Sequence, residues 1–473
     1  MKEYSIKHIS NVLKSNSVIF TLSSFSSKVV SIFLVPIYTR NLDIADYGLF
    51  DLMLIVLTFL QILFTLEISQ GMARYIPIMK GESSKSILIS SALGVILALC
   101  LLLIILLSAV SLFFKSIFSN ELKPYILLYF ILSILHLYLK NNLRWLLKAR
   151  EYFIQVLIFS LSSLILTYYW LVEKNLGLKG VYLALNCATL ISILYCLVIQ
   201  IKYISISISK RYIQLLLKFS MPLIISSLSI VLGSFVDRIY ISSKLGLEDL
   251  AIYSLGHRIA SISGFVVFGL ASAYLPIIYK NPYGQKMKIL FEQLFIYILC
   301  VAFFLSVLLT FYHSEIIILL SDSKYLDAGK VAIILGISVI LGNSIFLFPG
   351  LYIENKTSLL AKLNLFLVLC NLALNWLAII FFNTIISVSI ATLVSQLIFF
   401  IMNIYISQKY YDKSFMRIQQ YWFQVLLLLI VLLIPFTSIN PVQINLIFRI
   451  IFSIIICFLF YYSLKSKLKL IKV

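Results

Sequence analysis

Lys28 stands inside an apolar run, Ser17 to Thr39, that has the length of a bilayer-spanning helix. It lies 11 residues into that run, about 16 Å at 1.5 Å per residue, too deep for easy snorkelling to an interface. A lysine at mid-membrane costs about 2.5–3.5 kcal/mol on translocon scales, so it needs a cavity, a partner or an escape to water. Ser24, Lys28 and Ser31 follow at i, i+4 and i+7 on one helix face, with Ser23 and Ser27 beside them. Two chemistries fit this face. One is the wall of a water-filled, cationic cavity; the other is a set of packing serines with the lysine paired to a carboxylate such as Glu67.

Other polar residues interrupt apolar runs further along. Ser227 and Ser234 repeat the serine face, and the same run ends in Asp237 and Arg238, while His257 and Arg258 open the next one. Helix geometry allows an Asp237 to Arg258 pair across two helices, either as an interfacial clamp or as part of an outer gate or proton relay. Arg74 follows Gly71 by about one turn near a span end, where snorkelling and cavity lining are both open to it. His136 and Lys140, at i and i+4, lead to Asn141, Asn142 and Arg144, a basic approach that topological anchoring also explains. Asn364, Asn371 and Asn375 form a stripe at i, i+7 and i+11, suited equally to sugar hydroxyls and to interhelical hydrogen bonds. There is no Walker loop, and no nucleophile with a base beside it, so no enzyme activity is expected. The six cysteines sit in apolar segments without C-x-x-C or other ligand spacing and read as small core residues, with no metal.

The elements that position these residues follow from composition. Hydrophobic residues make up 62% of the 473 and charged residues 12%, against roughly 45–50% and about 25% in soluble chains. With a mean hydropathy of +1.06, most of the surface must face lipid. This excludes a soluble enzyme and predicts an all-α polytopic membrane protein of about fourteen transmembrane helices. Among these the second span is expected over Tyr47 to Tyr75, the tenth over Val331 to Ile353, and the last two over Tyr421 to Thr437 and Asn445 to Tyr462. The net charge of +20 would suggest nucleic acid in a soluble chain, but here the charges lie mostly in joints between spans, so no nucleic-acid partner is expected. Of the 38 Lys and Arg, 25 fall in the N-terminal arm, the even-numbered joints and the tail, eight in the odd-numbered joints and five within spans. That asymmetry predicts cytoplasmic N- and C-termini.

A shift of 203 residues lays Ser24 on Ser227, Ser31 on Ser234, Leu42 on Leu245, Asp46 on Asp249 and Phe50 on Tyr253. It equals six spans, an even number, and so predicts two six-helix bundles in a parallel repeat, the layout of a transporter with a central cavity. The expected organisation is a cytoplasmic arm over 1–16, a first bundle over 17–201, a linker over 202–218, a second bundle over 219–407, two added helices over 408–462 and a basic tail over 463–473.

Two stretches carry a family resemblance. PIYTRNLDIADYGLFDL followed by EISQGMARYIP, between Pro36 and Pro77, resembles the opening of the polysaccharide transporter family in the multidrug, oligosaccharidyl-lipid and polysaccharide exporter superfamily. Leu216 to Ile262, with Pro222 and the Asp237–Arg238 pair in place, resembles the start of that family's second bundle. The resemblance implies a V-shaped, MATE-like pair of bundles in the bacterial cytoplasmic membrane that flips undecaprenyl-pyrophosphate-linked oligosaccharide by alternating access. O-antigen flippases of the Wzx type, and those of capsule and exopolysaccharide, work in such pathways beside a polysaccharide polymerase and a chain-length regulator. Membrane lipids are the other expected partner. Fixed positive charge at Lys28, Arg74, Lys140 and Arg258 fits a pyrophosphate. No cofactor is expected; an ion gradient or the membrane potential would drive transport, with Glu67, Asp237 and Glu354 as carboxylates for coupling. A drug and cation antiporter, a lipid II flippase and a non-transporting scaffold are the competing readings. The antiporter should carry carboxylates deep in its spans, whereas Lys28 is the deepest charge here.

Overall fold

The computed structural model describes residues 6–79, 81–113, 121–280, 285–347, 350–354, 356–411, 422–436 and 446–471. Every regular element among them is a helix. The chain divides into two compact units, Met1–Val231 and Leu232–Val473.

The first unit contains α1 (Ile6–Asn41), α2 (Ile44–Thr65), α3 (Ile68–Tyr75), α4 (Glu82–Phe113), α5 (Lys123–Trp145), α6 (Ala149–Thr167), α7 (Gly177–Gln200) and the first part of α8 (Lys210–Lys244). Helix α1 takes in the described part of the expected arm, and only 202–209 of the expected linker precede α8. Lipid leaves a spanning backbone no water to bond, so these long apolar segments close their hydrogen bonds internally as helices.

The expected second span is not continuous. Leu66 and Glu67 adopt left-handed conformations, φ 48° and 50°, which end the hydrogen-bond ladder of α2 and start α3 in a new direction. Neither residue is glycine, so each costs about 1–2 kcal/mol to hold there, and local preference does not announce the break. Packing offsets the cost: Ile68, Met72 and Ile76 of α3 are buried in one core with Ile134, Tyr138, Leu139 and Leu143 of α5. Trp145 Nε1 also donates to Ser69 Oγ at 3.0 Å.

The second unit continues with α9 (Leu247–Lys280), α10 (Gln285–Leu320), α11 (Ala328–Asn343), α12 (Gly350–Ile353), α13 (Thr357–Phe381), α14 (Ile385–Tyr411), α15 (Trp422–Leu433) and α16 (Leu446–Ile471). Its core gathers Phe291, Phe303 and Phe311 of α10 with Val431 of α15 and Phe460 and Leu464 of α16. The Phe303 and Phe460 rings stack at 3.8 Å. Arg449 of α16, one of the in-span cations, pairs with Glu315 of α10 at 2.7 Å and donates to the Phe311 carbonyl at 2.8 Å. The added helices are thereby tied to α10.

Twelve helical stretches among the described residues are long and apolar enough to cross a bilayer. The tenth expected span corresponds to α11 with a 3₁₀ turn, Ser344–Leu347, and α12 after it. The thirteenth corresponds to α15 and a 3₁₀ turn, Ile434–Phe436. At 16 and 12 residues, α11 and α15 measure about 24 and 18 Å, short of the roughly 30 Å hydrocarbon core. Tyr421, Thr437 and Asn445, three of the four expected bounds of the last two spans, lie outside the described residues.

Part of the packing order repeats between units, although α8 does not lie along α13 as α1 lies along α6. Helices α5 on α7, α6 on α7 and α2 on α5 in the first correspond to α11 on α14, α13 on α14 and α9 on α11 in the second. The last pair is the closest: a Cβ on Gly256 of α9 would lie 2.7 Å from the Ala328 carbonyl oxygen and from Val331 of α11.

Candidate ligand cavity

Three helices of the first unit turn polar faces toward one cavity of about 470 Å³. Helix α1 contributes Ser23, Ser24, Ser27, Lys28 and Ser31, the face read from the sequence. Helix α5 adds Tyr129, Ser133, His136 and Lys140 at helical spacing, and α6 adds Tyr152, Gln155, Phe159, Ser160 and Ser163 in the same way. Ring contacts set the depth. Phe20 of α1 meets Tyr152 at 5.2 Å and the Arg144 guanidinium at 5.9 Å, which places Lys140 near this end. At the other end Tyr129 meets Tyr182 at 6.0 Å, Tyr182 meets Phe50 at 6.0 Å and Phe50 meets Tyr38 at 5.1 Å, an aromatic closure.

Between these ends Gln155 Nε2 lies 2.6 Å from His136 Nε2 and donates to Ser192 Oγ at 2.8 Å, with Ser192 Oγ 3.0 Å from the same imidazole nitrogen. His136 also packs on Phe159, ring centroids 4.8 Å apart. This buried network fixes the back wall, whereas Ser24, Lys28 and Ser31 on α1 are exposed. The lining, among the described residues, holds two lysines and no carboxylate. Such a space attracts an anion with polar attachments and disfavours a cation.

Glu67 lines a second, smaller cavity of about 200 Å³ with Thr58, Thr65, Gln70 and Asn141; Gln61 and Leu137 border both cavities. Arg74 is exposed and stacks over Phe219 at 4.7 Å and Tyr75 at 5.8 Å, outside the lining of either cavity. Gly71 makes room for that end of α8, since a Cβ there would lie 3.0 Å from Leu216 and Ser220.

In the second unit the polar residues form a closed cluster. The Asp237 carboxylate, 4% exposed, accepts from Tyr253 OH at 2.8 Å, Thr392 Oγ1 at 3.1 Å and Asn375 Nδ2. Asn375 also donates to Asn371 Oδ1 at 3.2 Å. Two of the three stripe asparagines thus make hydrogen bonds with other side chains here, while Asn364 is half-buried further along α13. Arg238 is buried and donates to the Ser234 carbonyl at 3.1 Å. Ser227, His257, Arg258 and Glu354 are each half-buried.

Gln155, Tyr253 and Thr392 were not singled out by their sequence pattern. Gln155 carried a readable signal, an amide sharing a helical face with Ser163 inside an apolar span. Tyr253 did too, because it replaces Phe50 in the repeat and adds a hydroxyl. Thr392 carried none, since a threonine in a spanning helix ordinarily bonds its own backbone, as Thr392 also does to Val388 at 3.1 Å.

The long apolar helices define a multi-pass, all-helical membrane protein, with a polar cavity in its first unit. The chain belongs to the family described as Polysaccharide biosynthesis protein, which it matches over residues 13–282, and residues 222–377 match the MatE family. No curated protein matches the chain significantly. Among solved structures, lipid II flippase MurJ in an inward closed conformation is similar with a TM-score of 0.70 and 15% identity, covering 95% of this chain and 99% of that one. A multidrug resistance MATE family transporter of the MOP superfamily, inward-facing, gives 0.64 and 14%, covering 81% and 94%. A MATE in complex with MaL6 gives 0.58 and 17%, covering 83% and 96%. At these identities the likeness is one of fold.

Proposed function

We propose that the protein flips a polyprenyl-pyrophosphate-linked oligosaccharide, the repeat unit of an O-antigen, capsule or exopolysaccharide, across the bacterial cytoplasmic membrane. The observation that carries this reading is the first-unit cavity, where Lys28 and Lys140 lie among hydroxyls with no carboxylate in the lining. A pyrophosphate needs the cations and sugars need the hydroxyls. An antiporter for organic cations would need the opposite charge. In this reading the termini face the cytoplasm and transport is driven by an ion gradient or the membrane potential, with Asp237 and Glu67 as the carboxylates for coupling.

The test is a reconstituted assay in which a polyprenyl-pyrophosphate oligosaccharide is loaded into one leaflet and its appearance in the other is read with a membrane-impermeant glycosidase. Protein-containing liposomes should flip it and empty ones should not. Lys28→Ala should slow the rate about 10- to 100-fold, the worth of one charge-assisted contact, while Lys28→Arg keeps part of it. A rate equal to that of empty liposomes refutes the flippase reading. Uptake of an organic cation in its place supports the antiporter, and a preference for lipid II supports that flippase.

A further inference from the structure

The hydroxyls on the α1 face of the cavity are committed in one direction, and so are several opposite them. On α1, Ser24 donates to the Phe20 carbonyl at 3.1 Å, Ser27 to Ser24 at 3.0 Å and Ser31 to Lys28 at 2.7 Å. Across the cavity Ser133 donates to Phe130 at 2.8 Å, Ser163 to Ser160 at 2.8 Å and Thr189 to Leu185 at 2.6 Å. A hydroxyl has one proton and two lone pairs, so each of these groups offers the cavity only an acceptor. Gln155 Nε2 is likewise engaged, with His136 and Ser192. The charged donors on the lining are the ammonium groups of Lys28 and Lys140, and Tyr129, Tyr152 and Ser160 add hydroxyls away from α1.

The wall therefore has two chemistries. Phosphate oxygens are acceptors, and on α1 the committed serines present them only lone pairs, so Lys28 is the α1 group that suits them. Sugar hydroxyls and acetamido N–H groups are donors, and the serine oxygens suit them. On α1 the two alternate along one face, with Lys28 between Ser24 and Ser31.

We propose that the α1 serine face is a subsite for the sugar next to the pyrophosphate and reads it as a hydrogen-bond donor, accepting hydroxylated sugars and rejecting ones whose hydroxyls are capped. The inference rests on the flippase reading and adds the substrate feature that is read. It also states where the selectivity lies: a site built to accept from a hydroxyl discriminates strongly against the analogue lacking it.

The test uses three water-soluble, short-chain prenyl pyrophosphates, one bare, one carrying a hexose and one carrying the permethylated hexose. Their Kd values are measured on the full-length protein in nanodiscs. The hexose should bind about tenfold more tightly than the bare compound, as two acceptor contacts would allow, and the permethylated form should lose that gain. The double variant Ser24→Ala/Ser31→Ala should also lose the gain with the bare compound's Kd unchanged; alanine is a good helix former, so α1 persists. Ser24→Thr/Ser31→Thr keeps both oxygens and should restore it. Equal Kd values for hexose and permethylated hexose overturn the subsite while leaving the flippase reading in place, and so does an alanine variant that keeps the gain. Failure of the wild type to bind even the bare pyrophosphate overturns the flippase reading and this inference with it.

Discussion

The first unit keeps its polar groups around an open, cationic space, and the second folds its polar groups onto a buried carboxylate. The two units share several helix pairings, and part of the difference falls on a few aligned residues. At a shift of 203, Lys28 corresponds to Val231, Leu34 to Asp237 and Phe50 to Tyr253. The first unit thus has a cation where the second has a valine. The second has a carboxylate and a phenol where the first has leucine and phenylalanine. Tyr253 supplies the hydroxyl that Asp237 accepts, and Phe50 sits in an aromatic closure that needs none. One repeated scaffold carries two chemistries because the charged residues fall at non-equivalent positions on equivalent helices.

The closeness of packing differs as well. Gly256 of α9 corresponds to Met53 of α2, and only the glycine lets its helix approach the backbone of its partner. Tight crossing of α9 on α11 holds the Asp237 cluster's Tyr253 one turn away in a rigid setting. The looser α2 leaves room for the break at Leu66 and Glu67 and for the small cavity beside it.

Four substitutions bear on this comparison. The largest effect is expected of Asp237→Leu, which gives the second unit the residue of the first and strands the Tyr253 hydroxyl and one N–H of Asn375, while Thr392 keeps Val388. It should cost about 3 kcal/mol of stability. Loss of the monomer peak on heating in detergent would record it, and a Tm equal to that of wild type would dismiss the cluster as a structural centre. Gly256→Ala should cost about 2 kcal/mol, because its Cβ meets a carbonyl oxygen of α11 at 2.7 Å and a backbone cannot rotate away. Met53→Leu, a volume-conserving exchange at the buried equivalent position in the first unit, should be milder in the same heating experiment, and the reverse ranking would cancel the claimed difference in packing. The smallest is Tyr253→Phe, the repeat's own exchange, at about 0.6–1 kcal/mol, the usual worth of one interhelical hydrogen bond in a membrane protein. Combining it with Asp237→Leu should cost less than the sum of the two, since both remove the same bond. Strict additivity would mean that Tyr253 and Asp237 act independently.

The sequence by itself determined the properties that depend on short stretches of chain. Apolar runs set the helices and the membrane class, and the 203-residue shift predicted two bundles, while the structure divides its two units inside α8, at Val231 and Leu232. Helical periodicity put Ser24, Lys28 and Ser31 on one face, which the structure turns toward the cavity. Tertiary structure decided which faces meet. Lys140 lies across the cavity from Lys28, Arg74 lies on Phe219 away from it, and Asn371 and Asn375 serve Asp237. Asn375 and Thr392 reach Asp237 across 138 and 155 residues of chain. The break at Leu66 and Glu67 belongs to the same category, for two left-handed residues are unfavourable alone and persist only where α3 is buried against α5. Periodicity records the direction a side chain takes from its own helix; the partner it meets depends on how distant helices pack, and no local pattern carries that information.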